Sequence, residues 1–288
     1  MSEWGAWIGR EETRNDRIDP AMFGRWRAML DLPALVDNAV PQGYHWCLCL
    51  PDAPTANLGP DGHPRRDDSP NGFLPPVPLP RRMWASSKVE FLHPLSVGES
   101  VSRTARLLSV TEKSGGSGPL VFVDVAHDTV GENGVAVRET QSLVYREAAA
   151  PDAALSPPEL SETSFEAVAW DAHRTLTPNE TLLFRYSALT FNSHRIHYDA
   201  PYAELDERYR GLVVHGPLTA TLLLDLAQRE LGNNCLSSFA FRGMSPAICG
   251  EALHLVMRGG GEDIELGAFA ADGRQIIAAT AKAKNKYD

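Results

Sequence analysis

Cysteine is scarce in this sequence. The four present, Cys47, Cys49, Cys235 and Cys249, form no C-x-x-C pair, so neither a zinc ribbon nor a disulfide framework is indicated. Basic residues are in the minority, with 27 Lys and Arg against 37 Asp and Glu and a net charge of -10. A general nucleic-acid binder needs a basic face to displace counterions from phosphates, and that class is excluded. A small anionic ligand, which needs only a few well-placed arginines, is not. No run approaches the roughly 18–20 apolar residues of a membrane span. The opening MSEWGAWIGREETRNDR lacks the apolar core of a secretion signal. A cytoplasmic location is therefore expected, or the mitochondrial matrix in a eukaryote, although no transit peptide is evident.

What is present suits a packed globular protein: 43% of residues are hydrophobic and 22% charged. The 288 residues are enough for two domains or one large one. A repeat favours two. Pro94, Gly98, Glu99 and Arg106 recur as Pro246, Gly250, Glu251 and Arg258, each 152 positions later, in a P-x3-G-E-x6-R pattern. Each copy is followed by β-branched, partly alternating runs joined by Gly-rich turns, the signature of an antiparallel meander. In the first half these are VSRTARLLSVTEK, LVFVDVAHDTV and VAVRETQSLVYRE; in the second, ALHLVMRGG, IELGAFAAD and QIIAATAKA.

Helical signals are fewer. Asp19-Pro20 reads as cap and first turn of a helix with Met22, Phe23, Trp26, Met29 and Leu30 on one side. HGPLTATLLLDLAQRELGNN, beginning at His215, is apolar nearly all round through Leu226 and should be a buried helix. The stretch 183–191, LFRYSALTF, reads as a strand. Residues 51–80 are rich in Pro, Gly and Asp and form a long loop or lid, and 147–163 read as a linker. Helix and curved antiparallel sheet, repeated, make an α+β protein; the buried second helix argues against a single β-sandwich.

Histidine is concentrated in one place. The 183–191 segment runs into Asn192-Ser193-His194-Arg195-Ile196-His197-Tyr198-Asp199, and His215-Gly216-Pro217 then opens the buried helix. A polar loop of this kind offers an acid/base, and backbone N–H groups at a helix start can hold a developing oxyanion.

This stretch resembles the hydratase motif of the MaoC-like double-hotdog enoyl-thioester hydratases. In that family an Asp stands five residues before a His, and an H-G dipeptide opens the hotdog helix; the matching positions here are Asn192, His197 and His215-Gly216. Longer strings, FRYSALTFNSHRIHYDAPYA, VVHGPL and GFLPPVPLPRRMWA, resemble the subgroup of itaconyl-CoA and mesaconyl-C4-CoA (3-methylfumaryl-CoA) hydratases and the mitochondrial type 2 hydroxyacyl-thioester dehydratase. The resemblance runs from about Trp7 to Ala281.

The resemblance implies two tandem hotdog folds, each an antiparallel sheet wrapped around a helix. Residues 1–150 would be the degenerate unit and 151–288 the catalytic one, with one active site per chain. It implies a hydro-lyase that adds water reversibly to an unsaturated acyl-CoA, itaconyl-CoA or mesaconyl-C4-CoA giving citramalyl-CoA, with a role in itaconate degradation. The alternative within the family is a 3-hydroxyacyl-thioester dehydratase of fatty-acid synthesis. No cofactor is expected beyond the CoA carried by the substrate, and neither nucleic acid nor membrane is an expected partner. The double unit can stand alone or pair as a homodimer.

Asn192 departs from the family pattern, because an amide cannot take a proton near neutral pH. Asn192 is therefore expected to hold the reacting water. His197 would serve as general base in hydration and general acid in dehydration. The Gly216 N–H would stabilise the enolate, a contribution on the order of 10²–10³ in rate. Arg81, Arg82 and Trp84, together with Arg195 and His215, are expected to bind the anionic substrate, since Arg makes bidentate contacts with carboxylate and phosphate. His215 has the competing reading of a loop anchor. The counterpart region of the first half holds only His45 and His63, in settings unlike the motif. Two further readings stand beside these: an iron site built on His197-x-Asp199 with His215 or His254, and a non-catalytic acyl-thioester binder.

Overall fold

The computed structural model describes residues 4–32, 38–67, 69–115 and 118–284. In chain order, the first half comprises β1 (Glu11–Arg17), α1 (Pro20–Met29), β2 (Arg81–Phe91), β3 (Ser100–Gly115), β4 (Gly118–Gly131) and β5 (Gly134–Arg146). The second comprises β6 (Ala172–Leu176), α2 (Glu180–Thr190), α3 (Ala200–Leu205), α4 (Gly216–Leu231), β7 (Leu236–Gly243), β8 (Leu253–Gly260), β9 (Asp263–Ala270) and β10 (Gln275–Ala283). The turn between β3 and β4 falls partly outside the described residues.

The strands form one ten-stranded antiparallel sheet in the order β1-β3-β4-β5-β2-β7-β10-β9-β8-β6. From the centre outwards the halves run β2-β5-β4-β3-β1 and β7-β10-β9-β8-β6, so the same order occurs twice. β2 and β7 join them, in register from Ser86 opposite Arg242 to Glu90 opposite Ser238.

The repeated turn has the same backbone in both halves. Gly98 and Gly250 take φ of 90° and 85°, a conformation that only glycine adopts freely. Their N–H groups donate to Ile18 O (2.8 Å) and Pro178 O (2.7 Å), just before α1 and α2. Val40 N–H donates to Leu95 O at 2.8 Å, and Val214 N–H to Ala247 O at 2.9 Å.

The expected strand at 183–191 is a helix, α2. Asn179 caps it by accepting from Leu182 N–H, and Leu183, Tyr186 and Leu189 are buried along one side. The match to α1 is residue for residue: Asp19 caps Met22 N–H, and Phe23, Trp26 and Met29 are buried. Alternation in FRYSALTF imitates a strand, but the cap and the i, i+3 spacing decide.

α4 is the central buried helix, with every residue from Leu218 to Ala227 buried. Its one acidic group in that span, Asp225, is compensated by Arg174 (2.5 Å) and Arg229 (2.9 Å). The first half departs from the expectation of a helix wrapped by each sheet. After Val40, the counterpart of Val214, the chain makes only a 3-10 turn, Tyr44–Cys47. The following Pro51 and Pro54 cannot extend a helix. α4 also crowds the space, since a Cβ on Gly43 would lie 3.2 Å from Leu224 Cδ1. Aromatic side chains fill the remainder, with Trp46 packed edge-on to Trp84 (5.8 Å) and Phe241 (5.9 Å). No helix among the described residues is long and apolar enough to cross a membrane.

Candidate active site

α2 ends on Phe191, whose left-handed φ of 48° turns the chain so that Asn192 N–H meets Ser187 O at 2.9 Å. The Asn192 Oδ1 accepts from His194 N–H (2.9 Å), which leaves its amide N–H groups as the free donors. Asp199 closes the loop by capping α3.

His197 is 7% exposed. Its Nδ1–H donates to Val213 O at 2.7 Å, and Val213 N–H in turn donates to Ile196 O at 2.9 Å. That carbonyl sets the tautomer and leaves Nε2 with the basic lone pair. The His197 ring stacks on His215 at 3.5 Å and 20°. His215 is 1% exposed, and its Nε2 pairs with Ser187 Oγ at 2.8 Å. One interlock therefore ties α2, the loop and the start of α4.

Burial, then the neighbouring His194, pushes His197 down to about 3. Burial and His63 push His194 down to about 3 as well, and burial drives His215 well below the ordinary histidine value. All three rings are neutral near pH 7.

Gly216 is the first residue of α4, ahead of the first intrahelical bond from Thr219 N–H to His215 O (3.1 Å). Its N–H is one of the unpaired donors at the positive end of the helix. A Cβ there would meet nothing within 4 Å. Neither packing nor backbone strain requires glycine, and the space beside its Cα is open.

The 51–80 segment reaches this loop. Gly62, at φ of 86°, lies so close that a Cβ would stand 1.9 Å from Ser193 O. Ser193 Oγ donates to Gly62 O (2.6 Å), Arg195 N–H to Asp61 O (2.8 Å) and Arg195 Nη1 to Pro60 O (2.9 Å). The clamp brings His63 into the site, contrary to its reading as a residue outside it. His63 Nδ1 pairs with Asp61 Oδ2 at 3.0 Å, and its ring lies against His194 at 4.1 Å, tilted by 34°.

Residues 43–249 match the family described as hydroxyacyl-thioester dehydratase type 2. The chain belongs to this family. Mesaconyl-C(4)-CoA hydratase of Chloroflexus aurantiacus is 42% identical over 282 residues, 97% of each chain. A MaoC-like dehydratase from Phytophthora capsici superposes with a TM-score of 0.70 over 96% of this chain and 97% of that one, at 15% identity. A Mycobacterium tuberculosis protein described as having a double hotdog fold superposes with a TM-score of 0.57 over 96% of both, at 11% identity. This member of the dehydratase family is thus a hydro-lyase, an acyl-CoA hydratase/dehydratase, with a double hotdog fold.

In this hydratase the anion-binding candidates separate. Arg81 is buried against Glu207 Oε2 (2.5 Å) and over the Tyr209 ring (5.2 Å), so it fastens β2 to the second half rather than standing ready for substrate. Arg195 is likewise spent, on Asp199 Oδ2 from Nε (3.0 Å) and Nη2 (2.8 Å) and on the Tyr202 ring (4.1 Å). Trp84 lies in the core between the halves, with Nε1–H donating to Ser86 O (3.1 Å) and Ser87 Oγ (2.9 Å). Arg82 points the other way from Arg81, as neighbours on a strand do. It has no ion pair or hydrogen bond among the described residues, and its charge acts on His194. The iron reading is not supported, because Asp199 is committed to Arg195 and to the α3 cap while the His197 and His215 rings lie face to face. Ser187, Asp61 and His63 escaped the sequence reading. The likeness of α2 to α1 could have exposed Ser187; nothing local marks the other two.

Proposed function

We propose that the chain hydrates a branched dicarboxylic enoyl-CoA, itaconyl-CoA or mesaconyl-C4-CoA, to citramalyl-CoA at one site built on residues 151–288, with residues 1–150 as the covering unit. The observation that carries this reading is His197, whose Nδ1–H is held by Val213 O and whose ring lies against the residue preceding Gly216. His197 Nε2 takes a proton from water while the oxygen attacks the β-carbon. The π electrons move onto the thioester, whose oxygen is held by the Gly216 N–H at the positive end of α4. The Asn192 amide N–H groups orient the water. Dehydration runs the same steps backwards.

The CoA in the substrate is the only cofactor this scheme needs. The unpaired charge of Arg82 supports recognition of a free carboxylate on the acyl group. The similarity to mesaconyl-C(4)-CoA hydratase supports that substrate class. The family match favours a second reading, 3-hydroxyacyl-thioester dehydration in fatty-acid synthesis. Incubation with itaconyl-CoA, mesaconyl-C4-CoA and straight-chain enoyl-CoAs, scored by the mass gain of one water, separates them. Preference for dicarboxylic acyl groups is expected; preference for straight chains overturns the assignment in favour of the second reading. Light scattering on the purified protein tests the pairing of two copies into a homodimer.

A further inference from the structure

Hydration needs two proton transfers, one from water and one to the α-carbon. The family pattern places a carboxylate where this chain has Asn192, whose Oδ1 is occupied by His194 N–H. Two carboxylates lie close to the loop, and they differ. Asp199 is bound by Arg195 and caps α3. Asp61 instead pairs with an imidazole, that of His63, at 3.0 Å, and also accepts from His63 N–H at 3.1 Å. His63 Nε2 has no protein partner among the described residues.

The placement of this pair is built into the fold. The turn carrying it is fastened to Ser193 and Arg195 by three hydrogen bonds and by the close approach at Gly62. The His63 ring lies against His194 at 4.1 Å, tilted by 34°, and His194 stands edge-on to His197 at 5.5 Å. Asp61, His194, His197, Arg195, Tyr202 and, from β2, Arg82 are among the charged or titratable groups around it. Asp61, His63 and His194 each offer a ligand atom within 4.8 Å of the others. An ion bound there would compete with the hydrogen bond by which Asp61 Oδ2 already engages His63 Nδ1.

We infer that the Asp61–His63 pair is the second proton-handling group of the active site, in place of the carboxylate that Asn192 lacks. This rests on the hydratase reading with His197 as base. In hydration the water O–H bond breaks, its proton goes to His197 Nε2, and the C–O bond forms at the β-carbon. The electron pair on the enolate then takes the proton from His63 Nε2, breaking N–H and forming C–H at the α-carbon. His197 returns its proton to solvent and the half-exposed His63 regains one, so atoms and charge balance. Burial alone would raise the Asp61 carboxyl, but the hydrogen bond and charge of His63 outweigh it and bring it down to about 2. A carboxylate that stays ionised is suited to accept the hydrogen bond from His63 Nδ1 and to orient the ring.

The test compares wild type, H63Q, D61N, N192D, the N192D/H63Q double variant and H197Q as full chains, with thermal melts to show folding and mesaconyl-C4-CoA as the probe. H63Q is expected to lower kcat about 10²-fold, in the usual range for a general acid, with KM within about threefold. D61N, which breaks the pair without touching the ring, should lower kcat about tenfold. N192D restores the carboxylate and should recover at least about tenfold in the H63Q background. Unchanged kcat in H63Q, an effect on KM alone, or a folded N192D/H63Q variant no better than H63Q overturns the inference. If H197Q instead keeps full activity, it is the base assignment that falls.

Discussion

The His197 imidazole lies on that of His215 at 3.5 Å, and the two rings are anchored from opposite sides, His197 by Val213 O and His215 by Ser187 Oγ. The geometry of His215 is that of a loop anchor, which holds the His197 ring against the start of α4.

Removing the Ser187 hydroxyl leaves both ring nitrogens of a buried imidazole without a partner, since His215 Nδ1 already has none. Ser187→Ala should cost about 1–3 kcal/mol of stability, read by urea denaturation, and lower kcat as the ring support loosens. His197→Gln should lower kcat about 10²–10⁴-fold with a native melting profile.

Gly216→Ala separates stability from catalysis. The added methyl meets no protein atom, so the melting temperature should hold or rise slightly. Hydration kcat/KM should drop at least tenfold, because the methyl enters the space for the thioester. Unaltered kcat/KM would remove Gly216 from the site.

The adjacent arginines should respond differently. Arg81→Met strands the largely buried Glu207 carboxylate and should cost roughly 3–5 kcal/mol. Arg82→Met breaks no side-chain ion pair or hydrogen bond among the described residues. It should raise KM for a dicarboxylic acyl-CoA by tenfold or more while leaving straight-chain substrates unaffected.

The acid response follows from His194 and His197, both held at about 3 against an ordinary 6.5. The unfolded chain binds their protons first as pH falls, so stability is full above pH 6.5 and is lost progressively down to pH 3. Denaturant midpoints across that range should fall steeply for the wild type and less steeply for His194→Gln. For the same reason the acid limb of hydration should lie well below pH 6.5.

Gly62→Ala should detach the 59–63 turn, since the left-handed backbone and the contact with Ser193 O both exclude a side chain. Hydrogen exchange should speed up at residues 59–63 and 192–197 together, with a loss of activity.

Periodicity and turn chemistry are local, and what they govern could be read from the residues. The two Gly-Glu turns marked the duplication, and the apolar run after His215 marked α4, because a helix buried on every side has no polar face to hide. The 183–191 segment misled because its alternation competes with its helical spacing; the capped counterpart at 19–29 carried the answer. Only packing decided the rest. Whether Arg81 or Arg82 is free depends on Glu207, far along the chain. That Asp61 and His63 reach the loop depends on Gly62 fitting against Ser193, an approach between segments about 130 residues apart that no local pattern encodes.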